Sequence, residues 1–386
     1  MREQMAERVY MHVGTPKSGT TYLQAVLWHN KPRLRAEGVL LPVTFQAHYA
    51  AAKGLTSRAA RIRETRFDID DTWALLATRL NRWPGRGVIS HELLAPASVE
   101  QAEEAKGALK GAEIHLVVTA RALPQQVPAS WQEQVKGGTA LSYPDYLEAI
   151  RAGKRAGNWF WEVQDIPDIA RRWGTSLPPE HVHVVTVPPD RSDPTLLWRR
   201  YASVFEIDAA TYDTDVPAKN VSLGPVEVEL LRQVHALRDE RFSDVGRQRW
   251  TRRLLASRIL GQRPRQRIEL PGPARGWLHA RSLQMAEVIR ARGFHVVGDL
   301  DDLTSWPTDD EARAVSSVTP EELAEAVAWT QDRLREELEM RDPGVSVPDV
   351  VPADGVEGIV ELLEHIRAFD TGSVPRPRAA ARLPSP

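Results

Sequence analysis

Apolar positions along this chain follow two rhythms. Short runs that are apolar almost throughout recur in the first half: Arg8–Gly14, Gly38–Pro42, Gly87–Glu92, Ala112–Ala120 and His181–Val187. Runs of that length without alternation predict strands buried on both faces of a parallel sheet. Between them, apolar residues recur three and four apart, which predicts helices over 19–30, 72–82, 99–110, 124–136, 143–151 and 159–173. The exchange of strand and helix predicts an α/β fold, a parallel central sheet flanked by helices.

After Pro188 the pattern is mainly helical, over 195–205, 225–240, 245–260 and 274–292, with a turn and a short extended segment over 293–298. Lys219–Pro225 reads as a polar turn before a helix, with Ser222 as its N-cap or as part of a flap over a ligand. An acidic amphipathic helix is expected over 320–341 behind Thr319 as N-cap, and a second over 355–369. Residues 374–386 are rich in Pro, Arg and Ala and are expected to be disordered. The expected division is an α/β domain over 1–305, a helical C-terminal extension over 306–373 and a tail over 374–386.

Composition narrows the function classes. The 386 residues carry 50 Lys+Arg against 52 Asp+Glu, a net charge of -2, so the chain as a whole is not a nucleic-acid-binding polyelectrolyte. With no cysteine, disulfides, thiolate nucleophiles, iron–sulfur clusters and Cys-ligated zinc are excluded. No His/Asp/Glu spacing matches a zinc or EF-hand site, so no metal is expected. No apolar run reaches the roughly 18–20 residues of a membrane span, and no signal peptide is read at the start, so the expected compartment is the cytoplasm. The excess of Arg over Lys and the many Ala suggest a GC-rich bacterial source. Eight arginines crowd residues 247–267. They form either a solvated basic face opposite the later acidic segments or a contact for an anionic ligand.

The strongest chemical signal is Gly14-Thr15-Pro16-Lys17-Ser18-Gly19-Thr20-Thr21, between the first strand and the first helix. Glycines permit the tight turns, and N–H groups at a helix start favour an anion. Ser18, Thr20 and Thr21 add hydroxyl donors. The G-x-x-x-x-G spacing matches a nucleotide-triphosphate loop, but Thr20 stands where such a loop places its lysine, and Lys17 lies inside the loop instead.

The segment Pro16-Lys17-Ser18-Gly19-Thr20-Thr21 followed by Tyr22 resembles the 5′-phosphosulfate-binding loop of PAPS-dependent sulfotransferases, where PAPS is 3′-phosphoadenosine 5′-phosphosulfate. The resemblance implies that Lys17 stabilises charge on the leaving phosphate and that Tyr22 stands where cytosolic members stack the adenine. The family's second signature is an Arg at a strand end and a Ser eight residues on, both for the 3′-phosphate. Arg121 and Ser130 correspond here, nine apart, with Pro124 and Pro128 between them. For the base that takes the acceptor proton, His91 falls on the histidine of cytosolic members, and Glu92 is the rival, because carbohydrate sulfotransferases commonly use Glu. Neighbours on a strand point to opposite faces, so one of the two is expected to face the acceptor.

The resemblance covers roughly residues 8–305 by organisation. It implies a transferase that moves the sulfuryl group from PAPS to a hydroxyl-bearing small-molecule, carbohydrate or lipid acceptor, with no metal, no nucleic acid and no membrane span. The alternatives are a phosphotransferase using Mg-ATP and a non-catalytic nucleotide-binding scaffold.

Overall fold

The computed structural model describes residues 6–56, 69–153, 156–190, 192–217, 222–237, 247–264, 266–305, 312–342 and 355–372. The tail over 374–386, and residues 219–221 of the polar turn, lie outside the described residues. The chain divides into two compact units. The first comprises Met1–Ser130, Leu147–Lys219 and Leu270–Thr308; the second comprises Trp131–Tyr146, Asn220–Glu269 and Asp309–Pro386.

The first unit is built on a six-stranded sheet in the order β2-β3-β1-β4-β5-β6, every pair parallel. Its strands are β1 (Ala6–His12), β2 (Val39–Leu40), β3 (Gly85–Ser90), β4 (Glu113–Ala120), β5 (Val182–Thr186) and β6 (His295–Val297). The predicted α/β class with a parallel central sheet is what the structure has. Val9, Met11, Val88, Val117 and Val184 are completely or almost completely buried, as strands covered by helices on both faces require. The extended segment expected after residue 293 is β6, which pairs with β5 at the sheet edge.

The connecting helices are α1 (Thr20–His29), α2 (Lys31–Ala36), α3 (Phe45–Thr56), α4 (Ile69–Leu80), α5 (Val99–Gly107), α6 (Leu123–Lys136), α7 (Tyr143–Ala152), α8 (Ala156–Gln164), α9 (Ile166–Gly174) and α10 (Leu196–Val204). From β1 the chain goes to β2 and β3 on one side and then returns to β4 on the other. The carboxyl ends of β1 and β4 therefore border the crevice where open α/β sheets bind ligands.

One predicted helix is two. The segment over 159–173 breaks between α8 and α9, where the Asp165 carboxylate accepts from the Asp168 N–H at 3.2 Å and Pro167 sits in the first turn of α9. The cap and the missing N–H start a new helix there. Helices α2 and α3 were not expected: α2 is short, and α3 is rich in alanine, too weakly apolar to mark a rhythm.

The second unit holds α11 (Pro225–Leu237), a π-helix over Arg247–Ile259 where an α-helix was expected, α13 (Pro320–Arg341) and α14 (Gly355–Thr371); α12 (Gly272–Ala291) belongs to the first unit. Within the second unit Arg258 pairs with Glu337 at 2.5 Å, Arg263 with Glu227 at 2.9 Å, Arg249 with Asp370 at 3.2 Å, and Arg252 with Glu133. Four described arginines of the rich stretch thus meet carboxylates of their own unit. No helix among the described residues is long and apolar enough to cross a membrane.

The segment after β3 is held by one buried arginine. Arg172 of α9 donates through Nη1 to the carbonyls of Ala95 (2.7 Å) and Ala97 (2.5 Å), through Nη2 to Glu162 (2.6 Å), and pairs through Nε with Asp168 at 2.8 Å. Arg172→Met keeps the bulk but leaves three carbonyls without this donor, while Asp168 keeps Arg171 at 2.7 Å, so the expected loss is about 2–4 kcal/mol. Urea unfolding followed by tryptophan fluorescence measures it, and an unchanged midpoint would contradict the assignment.

Candidate functional site: a phosphate-type loop over a buried polar chain

The turn from β1 into α1 carries three left-handed residues in six positions: Gly14 at φ 63, Lys17 at φ 67 and Gly19 at φ 83. Alternation of this kind turns successive N–H groups toward one side, the geometry of an anion nest. A Cβ on Gly14 would lie 2.7 Å from Cγ2 of Thr20 and 3.3 Å from Cβ of Glu92, and one on Gly19 would lie 2.5 Å from Cδ2 of Leu197. Both places favour glycine by conformation, and Gly14 also by the space that Thr20 and Glu92 occupy. Lys17 takes the same conformation with a side chain, at a cost on the order of 1–2 kcal/mol. Strain of this size persists only where the surroundings impose it, and Arg121 Nη1 grips the Lys17 carbonyl at 3.2 Å.

Beneath the loop runs a chain of buried polar groups. Ser18 Oγ donates to the Thr15 carbonyl at 2.5 Å, so Thr119 Oγ1, also 2.5 Å away, must donate to Ser18. Thr119 Oγ1 is then left to accept from His12 Nε2 at 3.4 Å, and His12 Nδ1 accepts from Ser90 Oγ at 2.8 Å. The carbonyl at one end fixes every proton in the chain. Gln126 of α6 donates to Thr15 Oγ1 (3.2 Å) and to the Pro16 carbonyl (3.1 Å), and Gln164 donates to the same carbonyl at 2.8 Å. Thr15 Oγ1 in turn donates to the Thr119 carbonyl at 3.1 Å.

Ser18 therefore spends its hydroxyl below the loop, unlike the ligand donor expected from the sequence. Thr20 is buried, and its methyl packs under Gly14. Thr21 and Lys17 are half-buried at the loop and the first turn of α1. Tyr22 packs against the apolar cluster that includes Leu23, Val26 and Leu27 of α1.

His91 and Glu92 follow β3 directly, beside the loop. Glu92 is the neighbour that a Cβ on Gly14 would touch, and its Oε2 accepts from Gln24 Nε2 of α1 at 3.2 Å. Gln24 also donates to Ser90 Oγ at 3.3 Å, which links the carboxylate to the chain beneath the loop. His91 is buried against the rings of Tyr49 (5.5 Å) and Phe45 (5.7 Å). Its Nδ1 accepts the Leu93 N–H at 3.1 Å, so neutral His91 carries its proton on Nε2. Burial lowers the pKa of His91, against the opposing pull of Glu92, whose Oε2 is 3.9 Å from Nδ1.

Arg121 directly follows β4 and is brought to the loop, its Nε also donating to Gln125 at 3.0 Å. Ser130 is nearly buried on α6, roughly two turns or about 10 Å beyond the start of that helix. The structure thus gathers Lys17, Glu92 and Arg121 around residues 14–19 and sets Ser130 further along. Sequence reasoning missed Thr119, Gln126, Gln24 and Ser90, which hold the loop without belonging to its motif. Their one signal is a polar residue inside an otherwise apolar element. On α8, Phe160 is fully buried while Trp159 is exposed, and Gln164 serves the loop.

Comparison with solved structures finds a similarity to a sulfotransferase from Alicyclobacillus acidocaldarius, with 14% identity over 74% of this chain and 94% of that chain and a TM-score of 0.41. No protein-family profile matches the chain, and no curated protein matches it.

Two buried histidines make the fold acid-sensitive. His12 and His48 each use one ring nitrogen as donor and the other as acceptor, His48 between the Pro42 carbonyl (2.9 Å) and the Ser90 N–H (3.2 Å). Burial pushes His12 down to about 3 and His48 to about 4. Below about pH 6.5 the unfolded chain takes protons that the folded chain refuses, so stability falls as pH drops from there toward 4. The two residues together should contribute a slope of roughly 2–3 kcal/mol per pH unit near pH 5. Denaturant titrations across this range measure it, and His48→Gln should remove about half; a flat profile would contradict the burial of neutral imidazoles.

Proposed function

We propose that this chain is a PAPS-dependent sulfotransferase that moves the sulfuryl group to a hydroxyl acceptor and releases 3′-phosphoadenosine 5′-phosphate. The observation that carries the reading is Lys17, held left-handed inside the nest between Gly14 and Gly19, with Arg121 of the next strand on its carbonyl. The lysine precedes the second glycine, as in the 5′-phosphosulfate loop that the sequence resembles.

In the proposed step the acceptor oxygen forms a bond to sulfur as the bond from sulfur to the bridging phosphate oxygen breaks. Negative charge grows on the departing phosphate, where Lys17 and the loop N–H groups stabilise it. Arg121 takes the 3′-phosphate through its guanidinium, and Ser130 adds a neutral donor. The acceptor is a hydroxyl-bearing small molecule, carbohydrate or lipid.

Of the two base candidates, the geometry favours Glu92. Its carboxylate carries free lone pairs beside the loop, whereas His91 has its one lone pair committed to the Leu93 N–H. A proton added to His91 would set Nδ1–H against that N–H. His91 is instead suited to donate from Nε2 to the acceptor oxygen while Glu92 removes its proton.

Two outcomes are expected. Arg121→Ala should weaken 3′-phosphoadenosine 5′-phosphate by about 10–100-fold in calorimetry, and AMP, which lacks the 3′-phosphate, by much less. Glu92→Gln should keep product binding but lower transfer to a panel of hydroxyl acceptors by about 10²–10⁴-fold, and His91→Asn by less. Equal binding of both nucleotides to wild type and Arg121→Ala, or full transfer by Glu92→Gln, would overturn these roles.

A further inference from the structure

At the opposite, amino-terminal end of the sheet, β4, β5 and β6 bring together four histidines and a glutamate that the proposed reaction does not use. Glu113 and His115 lie two apart on one face of β4. His181 immediately precedes β5, and His183 and His295 are register partners on β5 and β6. The chain spacing of these residues matches no metal motif, and it is the register of three strands that assembles them.

The hydrogen bonds fix the tautomers. His115 Nε2 donates to Glu113 Oε1 at 2.7 Å, because a carboxylate only accepts. His115 Nδ1 is then an acceptor and takes the proton of His183 Nε2 at 2.8 Å. His183 Nδ1 accepts in turn from His295 Nδ1 at 2.7 Å. His181 stacks on His115, ring centroids 4.3 Å apart, with its Nε2 3.9 Å from Glu113 Oε1.

We infer that Glu113, His115 and His181 form a binding site for a divalent transition-metal cation such as zinc or cobalt. Their ligand atoms lie within 4.8 Å of one another. Four-coordinate zinc at about 2.0–2.1 Å from each ligand sets the ligands roughly 3.3 Å apart, a value that the 2.7 and 3.9 Å separations bracket. Rotation of exposed side chains supplies the difference: Glu113 is 43% and His181 22% exposed. Two imidazoles and one carboxylate select zinc-like ions over magnesium or calcium and leave one position for water.

The remaining histidines form the outer support. When His115 Nε2 turns its lone pair to the cation, its proton passes to Nδ1, which then donates to His183 Nε2. His183 Nδ1 donates to His295 Nδ1, and His295 keeps a proton on Nε2. Three protons are present before and after, so the relay reverses without net release. A ligand histidine oriented through its far nitrogen is the usual outer arrangement of metal sites. The competing cation is Arg8, whose Nε lies 3.1 Å from Glu113 Oε1, but its Nη1 is also paired with Glu206 at 2.9 Å and keeps that partner when Glu113 turns away. Glu113 and Thr119 are six residues apart on β4, so this site lies about 20 Å from the loop and does not depend on the proposed sulfuryl transfer.

Cobalt(II) titration of the full chain near neutral pH tests the assignment through visible absorption and calorimetry. One equivalent should bind with the intense bands of a four-coordinate site. Glu113→Gln and His181→Ala should each weaken binding at least about tenfold, while His279→Ala, at an exposed histidine elsewhere, should not. Both test variants alter accessible side chains, and circular dichroism checks that they fold. Absence of stoichiometric binding by wild type, only the weak bands of hydrated cobalt, or unchanged affinity in both variants would overturn the site. Nucleotide binding should be the same with and without cobalt, which keeps this test separate from that of the loop.

Discussion

A loop that offers its N–H groups to an anion must have its carbonyls held by something other than regular secondary structure. Here Ser18 takes the Thr15 carbonyl, and Thr119, one residue before the end of β4, holds the Ser18 and Thr15 hydroxyls in turn. Its hydroxyl donates to Ser18, and its carbonyl accepts from Thr15. Gln126 and Gln164 take the Pro16 carbonyl, and Arg121 takes that of Lys17. The strained conformation of Lys17 is thus imposed from β4, α6 and α8, elements far away in sequence. Burial away from water strengthens each of these bonds and makes an unmade one expensive.

The same chain of bonds ties the loop to the residues proposed to act on the acceptor. Ser90 ends β3, accepts from Gln24 and donates to His12, while Gln24 also holds Glu92. A shift in the loop is therefore felt at the carboxylate, and a change of protonation at His12 would break the chain at its centre. The depressed pKa of His12 is a consequence of this arrangement: the imidazole is needed with one proton, and burial keeps the second one out.

Much of this was legible in the sequence. Unbroken apolar runs marked β1, β3, β4 and β5, because strands buried on both faces leave no polar alternation. The Gly14–Gly19 spacing marked the loop, because glycine suits the left-handed backbone at both positions and the close contacts with Thr20 and Glu92 at Gly14. What lay hidden depends on three-dimensional register. Ser18 reads as a ligand donor until Thr119 is placed beneath it. The choice between His91 and Glu92 turns on a single backbone N–H, that of Leu93. The cluster of Glu113, His115 and His181 exists only because β4 and β5 are adjacent in a register that aligns Leu116 with Val182. Asp165 and Pro167 did carry the break between α8 and α9, but an apolar rhythm running through both helices masked it.

The proposed transfer requires the loop to be a preformed site for a 3′-phosphorylated adenine nucleotide. The most direct measurement is calorimetric titration of the protein with 3′-phosphoadenosine 5′-phosphate in excess chelator, beside Mg-ATP without chelator. Tight binding of the first and weak binding of the second are expected. Preference for Mg-ATP, or no binding of the 3′-phosphorylated nucleotide, would contradict the proposed transfer.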